Sequence, residues 1–304
     1  MNETRDLPHL FFLTSAIVTG LIVILMFGFI FQGAIPVFLL EGPGFIYGTV
    51  WNYSTNQYGI FLYIVGTIVV TVATLIMAIP LGLLTAIYLA EFAPSPVEKI
   101  LRPLVELLVG IPSVVYGLFG FLFLRYVFMN TIDPWIGNNL GFIPIFRNLD
   151  IAGGAHILLA AVILSIMVLP TIVALSMDAM RAIPWDYREA SFALGATRWE
   201  TVRKVVIPAA LSGIIASIIL AMMRAMGETM AVVMVAGNFA EIPPTILSPV
   251  YPLTAKLLND ATDWIGLPMP QSALLGIASV LFVVEILFVA LAHAIGEYTR
   301  RKMQ

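Results

Sequence analysis

An all-α integral membrane protein with about six transmembrane helices is the fold class this sequence predicts, and three observations carry the prediction. Hydrophobic residues make up 60% of the 304-residue chain and charged residues 11%, against roughly 25% charged in an ordinary soluble domain. The apolar residues fall into six long blocks, matching the about 20 residues per helix that a hydrocarbon core about 30 Å thick requires. None of the blocks alternates apolar with polar over about ten residues, as a transmembrane β-strand would.

The first block, Leu10 to Phe31, carries no charge. It is longer than the apolar core of a secretion signal and no small-x-small cleavage site follows it, so it reads as a helix of the mature protein. Ile60 to Leu89 and Ile157 to Met177 are also free of charge, Leu104 to Leu124 carries only Glu106, Ile207 to Val235 carries Arg224 and Glu228, and Ser272 to Ala292 carries Glu285. Pro80, Pro112, Pro170 and Pro208 interrupt these blocks; each removes a backbone donor and kinks its helix, for packing alone or for function. All five tryptophans, Trp51, Trp135, Trp185, Trp199 and Trp264, fall between blocks, where amphipathic rings favour the membrane interface. The connections 32–59, 125–156 and 236–271 are too short for separate domains, the last leaving room for a short helix between its prolines. Residues 1–304 read as a single transmembrane domain.

Short basic loops are retained on the cytoplasmic side. Arg5, Lys99, Arg102, Arg181, Arg188, Arg198, Arg203, Lys204, Arg300, Arg301 and Lys302 fall on one side of the six-span pattern, and Arg125, Arg147 and Lys256 on the other. Both termini are therefore expected in the cytoplasm of a multi-pass cell-membrane protein. The net charge of −3 is small, and no basic run points to nucleic acid. Cysteine is absent, which excludes disulfides, thiolate catalysis and Cys-ligated metals. No metal site or cofactor is expected in this chain. His9, His156 and His293 lie at block ends, and no HExxH or GxSxG occurs, which argues against an intramembrane enzyme.

The segment Ile183 to Val206, followed by Ile207 and Pro208, is the most informative stretch. Asp186 can open a short helix that Gly195 closes, glycine being the residue that takes the left-handed conformation cheaply. Thr197 and Glu200 form an S/T-x-x-E capping box for a second helix. Within the first, Tyr187, Ala190, Ser191 and Leu194 share a face, while Arg188 and Glu189 point elsewhere. Such a helix suits either a partner's groove or the bilayer surface. The stretch resembles the EAA motif of ABC importer permeases: Glu189, Ala190 and Ser191, then Gly195, then Val205, Val206, Ile207 and Pro208 keep every spacing, with Ser for the second Ala. That resemblance implies a type I ABC importer permease fold, and a coupling helix containing Asp186, Arg188, Glu189, Ala190, Ser191 and Gly195 that docks on a separate ATP-binding subunit. None of the four lysines, Lys99, Lys204, Lys256 and Lys302, is followed by Ser or Thr, so no Walker A loop exists here. ATP and Mg belong to the partner ATPase.

Ionisable residues inside spans cost about 2.5 to 3.5 kcal/mol each at the bilayer centre on insertion scales, which makes each a candidate functional group. Arg224 and Glu228, four apart, are expected on one face of the fifth span. They form either an ion pair that locks helices or a site where the guanidinium attracts an oxyanion that Glu228 helps hold and release. Glu106 and Glu285 read first as structural, with pathway or gating as the alternative. The runs YIVGTIVVT (63–71), AIYLAEFAP (86–94), ELLVGIPSVVYGLFG (106–120) and RAMGETMAV (224–232) are similar to the phosphate-specific ABC permeases, the last nearer the C-type than the A-type subunit. The resemblance implies inorganic phosphate as substrate, translocation through Arg224 and Glu228, a sister permease, an ATPase dimer and an extracytoplasmic phosphate-binding protein. GIPSVVYG, with Ser113, is left between gating and packing. One rival keeps the family and changes the anion to molybdate, sulfate or phosphonate. A second is an ion-coupled transporter using Glu106, Glu228 and Glu285, which leaves the EAA loop without purpose.

Overall fold

The computed structural model describes residues 7–147 and 153–303. Arg5, and the side chains of Arg300, Arg301 and Lys302, lie outside what is described. Among the described residues six helices are long and apolar enough to cross a membrane: His9–Glu41, Phe61–Phe92, Ser113–Leu140, Ile157–Arg181, Arg198–Met226 and Pro268–Ala294. The chain forms two compact units, Met1–Phe61 with Asn259–Phe282, and Leu62–Leu258 with Val283–Gln304.

In the first unit, α1 (Leu7–Glu41) exposes apolar side chains along most of its length, the surface a helix offers to lipid. Pro36 cannot donate within α1, and next to this defect the Val37 N–H donates to Ser272 Oγ at 3.0 Å. Strands β1 (Trp51–Asn52) and β2 (Gln57–Tyr58) pair antiparallel around a turn in which Asn56 takes φ +51°. Glu41 Oε1 accepts from the Tyr58 N–H at 2.8 Å. Tyr53 stacks on Trp264 with ring centroids 4.0 Å apart and its hydroxyl donates to Asp260. Burial, then Asp260, hold the Tyr53 phenol protonated well above its ordinary range.

The second unit includes α2 (Phe61–Ile87), α3 (Ser95–Val109), α4 (Ser113–Phe119) and α5 (Ile157–Arg181). Most of α5 is buried, consistent with its lacking any charge before Asp178. It starts at His156, whose Nδ1 accepts from the Leu159 N–H at 3.2 Å while Nε2 faces Asp133 at 3.1 Å. Lipid supplies no hydrophobic force between helices, so small residues and hydroxyls that allow close approach act beside the packing of aliphatic side chains such as Ile163, Leu164 and Met167. A Cβ at Gly82 of α2 would stand 2.7 Å from Ile172 of α5. Ser176 Oγ lies 2.7 Å from Ser217 Oγ on α8, defined below, and the Thr67, Thr71 and Thr74 hydroxyls bond back to carbonyls four residues earlier. Pro80 and Pro170 sit inside unbroken helices, and Pro208 in a first turn.

Two blocks differ from their expected limits. The third span does not run from 104 to 124. The chain breaks at Gly110 to Pro112, α3 lies outside the six candidate spans, and the crossing helix begins at Ser113 and continues through π-helical turns to Leu140. Arg125, expected in a loop, lies within it. Apolar composition ran straight across a break that Pro112 imposes, because it cannot donate and restricts Ile111 before it. The Tyr116 hydroxyl bridges the break, donating to Leu108 O at 3.0 Å. The fifth block, read as 207–235, is α8 (Ile207–Met226) and a separate α9 (Met230–Val235). The helix left open in the last connection is α10 (Leu253–Trp264), before α11 (Pro268–Met303).

Candidate functional site

The α8–α9 break dissolves the expected shared face of Arg224 and Glu228. Arg224 occupies the last turn of α8; Gly227 ends that helix, and Glu228 and Thr229 are non-helical. Among the described residues neither Arg224 nor Glu228 forms an ion pair, so the helix-locking pair is not made. Glu228 Oε1 accepts from the Ala231 N–H at 3.1 Å, serving the start of α9, and its main-chain carbonyl accepts from Thr254 Oγ1 at 2.9 Å. Arg224 is half-buried, makes no hydrogen bond among the described residues, and lies within electrostatic reach of the Tyr116 hydroxyl. Glu285 of α11 approaches the same break: a Cβ at Gly227 would stand 3.6 Å from its Oε1. Arg224, Glu228 and Glu285 thus border one exposed glycine. Non-helical backbone at membrane depth is tolerated where protein buries it or water reaches it.

The other candidates lie elsewhere. Glu106 is on α3, exposed, and accepts from Arg102 Nε at 2.8 Å. Ser113 opens α4 directly after the proline break. Within GIPSVVYG, a Cβ at Gly117 would fall 2.7 Å from Met234 Sδ and 3.0 Å from Ala231 Cα, so this glycine brings α4 against α9. Sequence reasoning passed over a cavity of about 380 Å³ lined in part by Arg125, Phe121, Asn238 and Phe239. There Arg125 Nε donates to Gly153 O at 2.8 Å and its guanidinium lies over the Phe121 ring. Apolar composition alone leaves Arg125 in a loop, and only the helix continuing past 124 brings it here.

The loop after α5 forms the two short helices expected, but the first opens at Trp185 after Pro184, with Asp186 in its first turn and not capping it. Helix α6 (Trp185–Ala193) ends ahead of Gly195, which takes φ +81°. Thr197 and Glu200 make the reciprocal capping box at the start of α7 (Arg198–Thr201), with the Thr197 N–H donating to Glu200 Oε2 at 2.9 Å. Ser191 and Thr201 hydroxyls, 2.8 Å apart, tie the two helices together. Asp186, Tyr187, Glu189, Ala190 and Leu194 are exposed, Leu194 to 89%. Arg188 alone in α6 is buried, donating to Glu91 Oε1 at 2.6 Å and to Oε2 at 3.3 Å. Glu91, a carboxylate at the end of an apolar run, was not among the expected site residues.

Residues 78–303 match the family model described as binding-protein-dependent transport system inner membrane component. The chain is 34% identical over 267 residues to the phosphate transport system permease protein PstC of Mesorhizobium japonicum, covering 87% of this chain and 81% of that protein. It is 37% identical over 273 residues to the probable ABC transporter permease protein YqgH of Bacillus subtilis, covering 88% and 82%. With PstC 2 of Mycobacterium tuberculosis the identity is 30% over 97% of this chain and 94% of the relative. Among solved structures, a bacterial ABC transporter involved in the import of the acidic polysaccharide alginate shares the fold, with a TM-score of 0.58 at 16% identity over 97% of this chain and 98% of that one.

Proposed function

The chain belongs to the family of binding-protein-dependent transport system inner membrane components, and we propose that it is the permease subunit through which an ATP-driven importer carries inorganic phosphate into the cell. It is a multi-pass inner membrane permease, not itself an enzyme. The substrate reading is supported by its 30–34% identity to PstC proteins over most of the chain. The observation that carries it is the helix break at Gly227–Thr229, with an Arg224 guanidinium left without a hydrogen-bonding partner among the described residues. Such a group offers a forked set of donors to an oxyanion's oxygens. Glu228 and Glu285 nearby keep that attraction transient, as a pathway needs.

One guanidinium beside two carboxylates is a poor resting place for a doubly charged anion. We therefore place the pathway between this chain and a sister permease of PstA type, which contributes further cations. A dimer of ATP-binding subunits of PstB type holds ATP and Mg and docks on the exposed face of α6, with both termini of this chain in the cytoplasm. A PstS-type phosphate-binding protein delivers substrate from outside. ATP closure of the dimer moves the coupling helices and opens the cavity outward; the anion is not chemically changed.

The test is ATP-dependent uptake of radiolabelled phosphate by proteoliposomes holding the whole complex, wild type against Arg224→Gln, with matched basal ATPase activity. Wild-type uptake competed only by phosphate, and abolished in Arg224→Gln, is the expected result. Uptake unchanged in the variant removes Arg224 from the pathway, and wild-type uptake of molybdate, sulfate or phosphonate in place of phosphate overturns the substrate.

A further inference from the structure

We infer that Glu91 is the positioning residue that receives the movement of α6 and passes it into the second span, an inference that rests on the reading of α6 as the coupling helix. Every edge of the Arg188 guanidinium is engaged. Nε and Nη2 hold the two Glu91 oxygens, Nη1 donates to Ile183 O at 2.8 Å, and Nη2 donates also to Met180 O at 3.0 Å. Both side chains are nine-tenths buried. Arg188 therefore points away from the surface that α6 shows a partner, and since it is the one buried residue of α6, α6 is anchored inward through it.

The receiving end is also unusual. Glu91 lies in a π-helical turn, Tyr88–Phe92, that closes the second span, and such turns, with one residue more than an α-turn, re-aim side chains. The same turn is held from three directions. Arg198 of α7 lies over the Phe92 ring at 5.2 Å, Arg181 donates to Leu89 O at 3.2 Å, and Glu91 holds α6. A two-point, buried ion pair is directional and costly to break by removing one partner. A displaced α6 thus drags the turn sooner than it slides past it. A cavity of about 310 Å³ lined by Ala90, Glu91, Pro184 and Arg188 leaves this junction room to shift.

The experiment measures phosphate uptake and ATP hydrolysis in the same proteoliposomes for wild type and Glu91→Gln. A spin label on Leu84→Cys, an exposed site on α2 in a chain without other cysteines, reports movement when ATP and vanadate trap the complex. Expected for Glu91→Gln is hydrolysis that continues while uptake per ATP falls about tenfold or more, a coupling loss of ordinary size for such a link, together with loss of the label's response. An unchanged ratio and label response overturn the inference. If Glu91→Gln does not assemble, Glu91→Cys/Arg188→Cys decides: coupling recovered only after bridging by a short bifunctional thiol reagent upholds the link, and coupling equal before and after bridging overturns it. Wild-type vesicles that take up no phosphate while the label still responds sink the substrate reading and leave this one standing.

Discussion

Gly195 holds φ +81° with no heavy atom within 4 Å of where a Cβ would stand, so a side chain there meets conformational cost and nothing else. Gly195→Ala is expected to destabilise the α6–α7 turn by about 1–2 kcal/mol, read as faster hydrogen exchange across Leu194 to Thr197 with no change in the spans. Tyr53 gives the pH counterpart. Its phenol stays protonated in the folded protein above the ordinary tyrosine pKa, so its contribution is fully present below about pH 10 and is lost as pH rises beyond that. Thermal unfolding of the purified complex should show a steeper alkaline loss of stability in wild type than in Tyr53→Phe. Gly195, Thr197 and Glu200 were legible in the sequence because their geometry is settled within a few residues. Glu91 was not, because its partner Arg188 is 97 positions away and no local pattern joins them.

At the level of elements, the two blocks whose limits were misjudged share a cause. Hydropathy measures how willingly a stretch enters lipid, and it is silent about where backbone hydrogen bonding stops. Pro112 splits one block and Gly227 the other, while the helices holding Pro80 and Pro170 continue through them. The first break also sets α4 against α9 through Gly117. Gly117→Val should cost about 1–3 kcal/mol by overpacking against Ala231, and Gly117→Ala less, since the Met234 thioether can turn aside and Ala231 backbone cannot. Detergent melting temperatures of the two variants check the order; equal losses would mean that α4 and α9 move apart freely. The shared face first assigned to Arg224 and Glu228 failed for the same reason, since four residues make one face only where the helix is continuous.

On the scale of the whole molecule, the six-span architecture was readable because length and apolarity are summed quantities that tolerate local error. The partner surface is more demanding. Leu194 is 89% exposed, and Tyr187 and Trp185 of the same loop are exposed too, so Leu194 is an apolar side chain that the described residues leave uncovered. Leu194→Asp should leave membrane insertion intact and reduce co-purification of the ATP-binding subunit by at least about tenfold, as expected when a buried anchor of an interface is replaced by a charge. Equal recovery would move the docking surface elsewhere. Arg224 carries the same logic into the bilayer. Arg224, a cation without a hydrogen-bonding partner among the described residues at the end of a membrane helix, is expected to mark a subunit made alone as incomplete to the cell's proteolytic surveillance. Pulse-chase labelling should therefore find the orphan chain short-lived, and Arg224→Leu, by erasing that mark, should lengthen its lifetime even as it ends transport.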